Sequence, residues 1–337
     1  MIFLFNNFPK LLFGQRIYYC FAVVLQLVMV GLSYAAEDDY PARPIKLVVP
    51  YAVGTTPDTI ARLFSESLGE SLGTSIIIEN RPGASGIVGT DYVVKSEPDG
   101  YTLLFADSSS WAVNPYLYAK LPYRGIQDFV PVIRVAELPT FLVINPSIPA
   151  NKVTDLIDYV RKNPGKLSYG SVGSGSLHHL TGEMFKSMAK LDILHVPYKG
   201  SPQVSIALMS GETDMAFLGY AAISPSVSAG KLRVLGIAVA KRSLANPQIP
   251  TIAESGLPGF DMSTSIGVLA PSGTSANAVA KLNSAISKAL ASPAVLGKIN
   301  AMGVVIVGGS AQEFGDVMKK ESVKFEKLIK LSGAKIE

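Results

Sequence analysis

Three short loops rich in glycine, serine and threonine are the segments best suited to bind a ligand. They are Val53-Gly54-Thr55-Thr56, Ser108-Ser109-Ser110 and Gly173-Ser174-Gly175-Ser176. Each follows a predicted strand and precedes a predicted helix, so its N–H groups would lie at the positive end of a helix dipole. Small residues let the backbone approach an oxygen atom, and hydroxyl groups add donors. The pattern favours an anion site, although ordinary turns and N-caps have the same composition.

The three histidines of the chain, His178, His179 and His195, offer little metal or catalytic chemistry. Adjacent residues of one helical turn point in different directions, and no cysteine or carboxylate stands at ligand spacing, so no metal site is predicted. A Ser-His-Asp hydrolase could be assembled from Ser176, His195 and Asp214, but the nucleophile-elbow motif is absent. The phosphate-loop and dinucleotide motifs are absent too. We therefore predict no catalytic residue, metal or cofactor, and the hydrolase is the less favoured alternative.

Aromatic residues next to these loops have two interpretations. Trp111, the only tryptophan, directly follows the second loop and would be either a core residue or an apolar wall for a ligand. Tyr198 and Lys199 stand between a predicted strand and a helix, where they would line a cleft or belong to a surface loop.

Short β-branched runs alternate with helical patterns from Pro44 onward, which predicts an α/β protein with mostly parallel strands. At the first helix, Thr56 is predicted to be the N-cap, Pro57 the first helical residue and Asp58 a first-turn carboxylate. Strands are predicted over residues 45–49, 75–78, 102–105, 141–144, 167–172, 193–196, 214–218, 232–239 and 266–269.

The strand-loop-helix units fall into two sets, which predicts two lobes, each a mostly parallel sheet flanked by helices. We expect lobe 1 to contain residues 37–142 and 264–337, and lobe 2 to contain residues 143–263. The strand over 266–269 would return the chain to lobe 1. Two lobes joined by more than one crossing segment would form a hinge with a cleft that closes on a ligand.

The first 36 residues differ from the rest of the chain. Lys10 and Arg16 precede an apolar stretch over 17–32, and small residues follow, which is typical of a secretory signal peptide cleaved after Ala35 or Ala36. An uncleaved membrane anchor is the alternative, but the apolar run is shorter than the roughly 20 residues that a spanning helix needs. Cys20, the only cysteine, lies inside this segment, so the mature chain would need no disulfide.

Charge gives no indication of nucleic-acid binding. The 337-residue chain has 30 basic and 26 acidic residues, a formal net charge of +4, and no long basic run. Removal of the signal peptide would also remove Lys10 and Arg16. The mature protein would therefore be nearly neutral.

Longer motifs in a fixed order cover nearly all of the predicted mature chain. The chain resembles the extracytoplasmic solute receptors of the tripartite tricarboxylate transporter family, also called Bug or TctC-like proteins. The motifs that carry the resemblance are Tyr40-Pro41-x-Arg43-Pro44-Ile45, Glu79-Asn80-Arg81-Pro82-Gly83-Ala84-x-Gly86, Pro98-Asp99-Gly100-Tyr101-Thr102-Leu103-Leu104, Asn114-Pro115-x-Leu117-Tyr118, Ser176-x-His178-His179-Leu180-x-Gly182-Glu183-x-Phe185, His195-Val196-Pro197-Tyr198-Lys199-Gly200 and Gly267-x-Leu269-Ala270-Pro271.

The resemblance implies a periplasmic two-lobed binding protein of the Venus-flytrap, type II-like kind. It implies a small organic carboxylate, either a di- or tricarboxylate or an aromatic acid, held by backbone amides, hydroxyls and water, delivery to membrane permease subunits, and a monomer. A sensing role, in which the liganded receptor contacts a signalling protein, is a further alternative. Together with the loops, the resemblance gives these expected ligand-binding residues: Tyr51, Val53, Gly54, Thr55, Thr56, Ser108, Ser109, Ser110, Trp111, Ser171, Gly173, Ser174, Gly175, Ser176, His178, Tyr198, Leu218 and Gly219.

Two departures from the family pattern bear on the choice of ligand. Thr55 stands where the family's first loop usually has a second glycine, which restricts the backbone and adds a hydroxyl. Leu218-Gly219 stands where many members have Asp-Asn, so a partner for a ligand ammonium is missing and an amino-acid ligand is disfavoured. With Trp111 nearby, an aromatic mono- or dicarboxylate such as terephthalate is the resulting hypothesis.

Overall fold

The computed structural model describes residues 40–243 and 245–335. The predicted signal peptide over residues 1–36, with Cys20, lies outside the described residues. Within the described ranges, no helix combines the length and the apolar character that are needed to cross a membrane.

Helices and strands alternate along the described chain. The strands are β1 Ile45–Val49, β2 Ile76–Asn80, β3 Thr102–Asp107, β4 Phe129–Leu138, β5 Phe141–Ile144, β6 Ser168–Ser171, β7 Leu194–Pro197, β8 Met215–Leu218, β9 Arg233–Ile237, β10 Thr264–Pro271 and β11 Val305–Ile306. The α-helices are α1 Thr56–Leu72, α2 Ile87–Val94, α3 Asn114–Leu117, α4 Val153–Lys162, α5 Leu177–Ala189, α6 Ser201–Ser210, α7 Tyr220–Ser228, α8 Ala276–Leu290, α9 Pro293–Ala301 and α10 Ala311–Ser332.

The first sheet contains six strands in the order β11-β4-β10-β3-β1-β2. β1 is parallel to both β2 and β3, and β10 lies antiparallel between β3 and β4. The apolar run of β1 is covered on both faces, since Leu47 is 1% exposed and its neighbour Val48 is 0% exposed. On one of these faces Phe64 of α1 packs edge-on against Phe105 of β3, with 5.6 Å between ring centroids.

The second sheet contains five strands in the order β7-β6-β8-β5-β9. β6 is parallel to β7 and β8, whereas β5 is antiparallel to β8 and β9. Both faces of β5 are buried, because Phe141 and Val143 pack in one apolar cluster and Leu142 and Ile144 pack in another. In both sheets, three parallel strands in the order second-first-third adjoin a strand that arrives from the other sheet.

The predicted α/β class with two sheets flanked by helices is confirmed, with one correction to the strand directions. Among the pairings of the described strands, four are parallel and five are antiparallel, so the sheets are mixed rather than mostly parallel. The antiparallel pairs all involve β4, β5 or β10, the strands next to the crossings. Four of these five pairs involve β5 or β10, the strands that directly follow a crossing, and the fifth joins β4 to β11.

The positions of β5 and β10 show where the chain crosses between the sheets. The strand predicted over 266–269 is β10, and it belongs to the first sheet. β5 pairs entirely within the second sheet, so the predicted lobe boundary between residues 142 and 143 falls inside a strand. The chain passes between the sheets at 139–140 and again between β9 and β10.

Candidate ligand-binding site

The first predicted loop lies directly after β1, at the carboxyl edge of the first sheet. Helix α1 has Thr55 as its N-cap, one residue before the predicted Thr56, and the Thr55 hydroxyl donates to the Ala52 carbonyl at 2.8 Å instead of capping the helix. The Gly54 N–H is bound by the Asp58 carboxylate at 2.8 Å. Two donors that we assigned to an anion are therefore already engaged within the loop.

A hydrogen bond between Tyr51 and Asp107 joins the first loop to the second. The Tyr51 hydroxyl donates to Oδ1 of Asp107 at 2.8 Å, and the same oxygen accepts the Ser109 N–H at 2.9 Å. Burial raises the pKa of Asp107 and raises that of Tyr51 well above its ordinary value, yet both side chains keep part of their surface exposed. We had not predicted Asp107 as a site residue. Its place at the carboxyl end of a strand, beside the serine loop, was the available signal.

The second loop turns most of its side chains inward. Ser108, Ser110 and Trp111 are 0% exposed. The Ser108 hydroxyl and the Trp111 indole N–H both donate to Oε2 of Glu321 at 3.0 Å. Trp111 therefore belongs to the core, and its interpretation as an apolar wall is corrected. Ser109 is the member of the loop that stays partly exposed.

The third loop leads from β6 into the N-terminus of α5. The Oγ of Ser176 accepts the His179 N–H at 3.2 Å and donates to the Gly173 carbonyl at 2.6 Å, so Ser176 is the N-cap. Gly173 and Gly175 have φ angles of 115° and 80°, which favour glycine. The N–H groups of the first two helical residues precede the capped one and have no acceptor among the described residues. Helix α5 thus presents backbone donors at its start.

His178, the second residue of α5, carries a binding group that the protein itself does not use. Its Nδ1 atom is buried without a hydrogen-bond partner in the described part of the chain, although the ring keeps some exposure. Burial lowers the pKa of His178 to about 4, so the imidazole is neutral at neutral pH. Since buried polar atoms are nearly always hydrogen-bonded, Nδ1 is expected to contact a ligand or an ordered water.

The other two histidines form a structural cluster behind this loop. Nε2 of His195 lies 2.6 Å from Oγ of Ser171, which is 0% exposed, and the His179 and His195 ring centroids are 4.3 Å apart. Nδ1 of His179 accepts the Gly175 N–H at 3.1 Å, which fixes its tautomer with the proton on Nε2. Ser171 is therefore a buried residue that supports the loop, and it has no exposed surface for a ligand.

The triad of the alternative hydrolase is not assembled. The Ser176 hydroxyl faces the Gly173 carbonyl, as described, and His195 pairs with Ser171 instead. Asp214 accepts the Ser168 N–H at 2.7 Å. In the ranges that the structure describes, no three His, Cys, Asp or Glu side chains approach closely enough to hold a metal ion.

Two further predicted ligand contacts point away from the loops. Leu218 is 0% exposed and packs in the apolar cluster with Phe141, so it is a core residue. The Tyr198 hydroxyl donates to Glu212 at 2.8 Å, on the surface of the second sheet's domain. Gly219 is the N-cap of α7 and stays partly exposed.

The loops of the two sheets meet. A methyl group added at Gly175 would lie 2.6 Å from the side chain of Leu117, which belongs to the short helix α3 after the second loop. The third loop, which leads into α5, therefore lies against the helix that follows the second loop. The partly exposed members of the predicted set in this region are Tyr51, Val53, Gly54, Thr55, Thr56, Ser109, Gly173, Ser174, Ser176 and His178.

Comparison with known proteins places the chain in a family. The family model described as the tripartite tricarboxylate transporter family receptor, TctC, matches residues 60–334. This chain belongs to that receptor family. The predicted resemblance is confirmed, and the family is one of solute-binding receptors rather than enzymes.

Individual relatives agree with this assignment. A UPF0065 protein from the tcbD-tcbE intergenic region of Pseudomonas sp. (strain P51) is 38% identical over 308 residues, covering 90% of this receptor and 91% of the relative. The structure of Rpa4515 from R. palustris with adipate is 37% identical, with a TM-score of 0.76, over 88% of this receptor and 100% of that chain. MatC from Rhodopseudomonas palustris with bound malate is 30% identical, with a TM-score of 0.71, over 86% and 100%.

The histidines of this receptor give a direct test of the site's burial. Burial lowers the pKa values of His178 and His195 to about 4, from an ordinary value of 6.5. We expect both rings to stay neutral at about pH 5.5, and carbon–proton NMR spectra of the three imidazoles will show this. Since the native state then binds fewer protons than the unfolded state, these rings stabilise the fold above pH 6.5, and this contribution is lost as the pH falls towards 4. Titration of either ring near 6.5 would contradict the described burial.

Proposed function

We propose that the protein is an exported periplasmic receptor that captures a small dicarboxylate and delivers it to the membrane subunits of a tripartite tricarboxylate-type transporter. Family membership supports the receptor role and the transporter partner. The observation that carries the ligand site is the start of α5, where uncapped N–H groups adjoin the unpartnered Nδ1 of His178. A carboxylate oxygen at this position would accept from these donors and from the Nδ1–H tautomer of the imidazole.

The proposed capture uses both sheets. We propose two lobes, residues 37–142 with 264–337 and residues 143–263, with the first boundary moved to the crossing at 139–140. The first lobe would contribute the edge formed by Tyr51, Asp107 and Ser109, and the second lobe the start of α5. A ligand that contacts both edges stabilises the closed state more than the open one, and closure follows. We further propose that residues 1–36 direct export, that they are then removed, and that the receptor acts as a monomer.

The choice of acid is narrowed by where the side chains lie. The hypothesis of an aromatic ligand rested on Trp111 and Leu218, and both are buried in the core. Adipate, which is bound in the structure of Rpa4515, and terephthalate both carry two carboxylates separated by four carbon atoms along the shortest path. We propose a dicarboxylate of this span, with the linear acid preferred because Trp111 and Leu218, the two residues that favoured an aromatic acid, are withdrawn from the loops.

Calorimetric titration of the purified mature protein tests this proposal. We expect adipate to bind with one site per chain, and more tightly than terephthalate, malate, citrate or glutamate. Among comparable ligands, each misplaced or missing carboxylate contact is expected to weaken binding by about tenfold or more, because charge-assisted hydrogen bonds contribute about 1.5–3 kcal/mol. Tightest binding by terephthalate would reverse the stated preference. Binding of none of these acids would refute the carboxylate receptor.

A further inference from the structure

A cavity lies away from the proposed ligand loops, where the chain crosses between the sheets. Its volume is about 430 Å³, and we call it the hinge cavity. Its wall includes Glu137 on β4, Lys241 after β9, Asp261 before β10 and Lys320 on α10. The first sheet, helix α10 and both crossings therefore contribute to it. None of the predicted ligand-binding residues lines it.

The acidic residues of the hinge cavity already have partners. Glu137 pairs with Arg134, with 3.2 Å between Oε2 and Nη2. Oδ1 of Asp261 accepts the Ser263 N–H at 2.8 Å. Glu321, which is 4% exposed, accepts three hydrogen bonds inside the protein. These carboxylates are thus committed to structural contacts.

Several cations of the hinge cavity are not neutralised. Lys241 and Lys320 make no ion pair or side-chain hydrogen bond with any residue that the structure describes. Lys324 donates to the Ser263 carbonyl at 2.8 Å, a neutral acceptor. Arg242, a further lining cation, is paired with Glu254 at 2.9 Å. Asp261 and Glu321 accept only from neutral donors, so the three ammonium groups outnumber the carboxylates without a cation partner by one. This surplus of positive charge favours an anionic occupant.

The cavity also offers apolar surface. Pro139, Val239, Val305 and Val317 form part of its wall. A cavity of about 430 Å³ is within the usual range for small-molecule sites. Ammonium groups at the rim together with aliphatic walls suit a molecule that has several carboxylates on a short hydrocarbon body.

One buried carboxyl group connects the hinge cavity to the ligand loops. Glu321 lines the cavity, and it accepts from the Ser265 hydroxyl at 2.8 Å and from the Ser108 hydroxyl and Trp111 indole at 3.0 Å. Ser108 directly precedes Ser109 in the second ligand loop. The Ser109 N–H donates to the Asp107 carboxylate, which belongs to the ligand site. A charge placed beside Glu321 therefore acts on residues that support the second ligand loop.

We propose that the hinge cavity is a second anion site, which binds a small organic polyanion with its carboxylates against Lys241, Lys320 and Lys324. Because the wall includes both segments that join the two sheets, an occupant favours one conformation of these segments and so alters the affinity of the ligand loops. The site would make capture of the main ligand dependent on a second metabolite of the polycarboxylate class.

Trp111 reports on this site, because it is the only tryptophan of the chain and is hydrogen-bonded to Glu321. We will titrate the purified protein with citrate at constant ionic strength and record tryptophan fluorescence and heat. A saturable signal is expected. The double variant Lys241→Ala/Lys320→Ala should weaken the citrate response by about five- to tenfold, since each exposed charge pair contributes up to about 1 kcal/mol.

The matched control is Lys298→Ala/Lys327→Ala, which removes two exposed lysines that do not line the cavity. It should respond to citrate as the unmodified protein does. Equal responses of the two double variants, or no saturable signal at all, would overturn the proposal. So would a citrate signal that adipate displaces and that His178→Ala abolishes, because citrate would then occupy the ligand loops. If no dicarboxylate binds but the hinge variant alone weakens the citrate response, the proposed receptor function fails and the hinge site stands.

Discussion

Replacing His178 with alanine is expected to weaken dicarboxylate binding by about ten- to a hundredfold, because one hydrogen bond to a charged group contributes about 1.5–3 kcal/mol. The native protein offers Nδ1 of this ring no partner in its described part, so the substitution removes no internal contact of that atom. The free energy of unfolding should therefore change little. Calorimetry gives the affinity, and urea unfolding gives the stability.

His178→Asn is the matched control for this prediction. The asparagine side-chain N–H₂ occupies nearly the position of Nδ1 and keeps a donor there, so a substantial part of the affinity should return. An alanine variant that binds with unchanged affinity would place the ligand elsewhere. A variant that loses affinity and stability together would instead show that His178 supports the loop.

Gly182→Ala is expected to destabilise the protein by about 1–3 kcal/mol, the usual effect of forcing an additional methyl group into a packed core. Gly182 lies in α5, and a methyl group there would come within 2.3 Å of the Tyr169 ring. That ring is 0% exposed, and its centroid lies 4.9 Å from the His195 ring, so it cannot move without disturbing the histidine cluster under the third loop. Urea unfolding of the purified variants gives the size of the effect.

Gly297→Ala provides the comparison. Gly297 is also a helix-interior glycine, in α9, but a methyl group there meets no atom within 4 Å. Alanine has a higher helix propensity than glycine, so this variant should be more stable than the parent by about 0.5–1 kcal/mol. If the same substitution lowers the free energy of unfolding at Gly182 and raises it at Gly297, steric contact decides the outcome. Equal effects in the two helices would contradict the described packing of Tyr169.

Local patterns predicted most of the strands, because burial on both faces requires a continuous apolar run. β1 and β5 begin and end at the predicted residues, Ile45–Val49 and Phe141–Ile144. The mixed direction of the sheets was not predicted, because it depends on how distant segments pair. For example, Ile266 of β10 lies opposite Asp107 of β3. Such a pairing leaves no periodic signal in either segment.

The candidate site was predicted at the level of loops rather than side chains. The glycine-rich loops before helix starts follow from local backbone chemistry, and the structure contains them, although the one predicted N-cap, Thr56, lies one residue after the observed cap. Which face of a loop points to the core depends on partners far along the chain. Trp111 is held by Glu321, 210 residues later, and this contact removes it from the site. Asp107 was missed for the converse reason, since an acidic residue beside a site for anions is not suggested by charge alone.

The position of β10 has a consequence for the order of folding. All strands of the second sheet come from one continuous stretch, β5 to β9, so this half can form from contacts that are close along the chain. The first sheet cannot close until β10 inserts between β3 and β4, because it occupies an interior position. Pairings over long sequence separations form slowly. During synthesis, the first sheet would therefore stay incomplete until residues beyond 264 have emerged, and the proposed export would take place before this sheet closes.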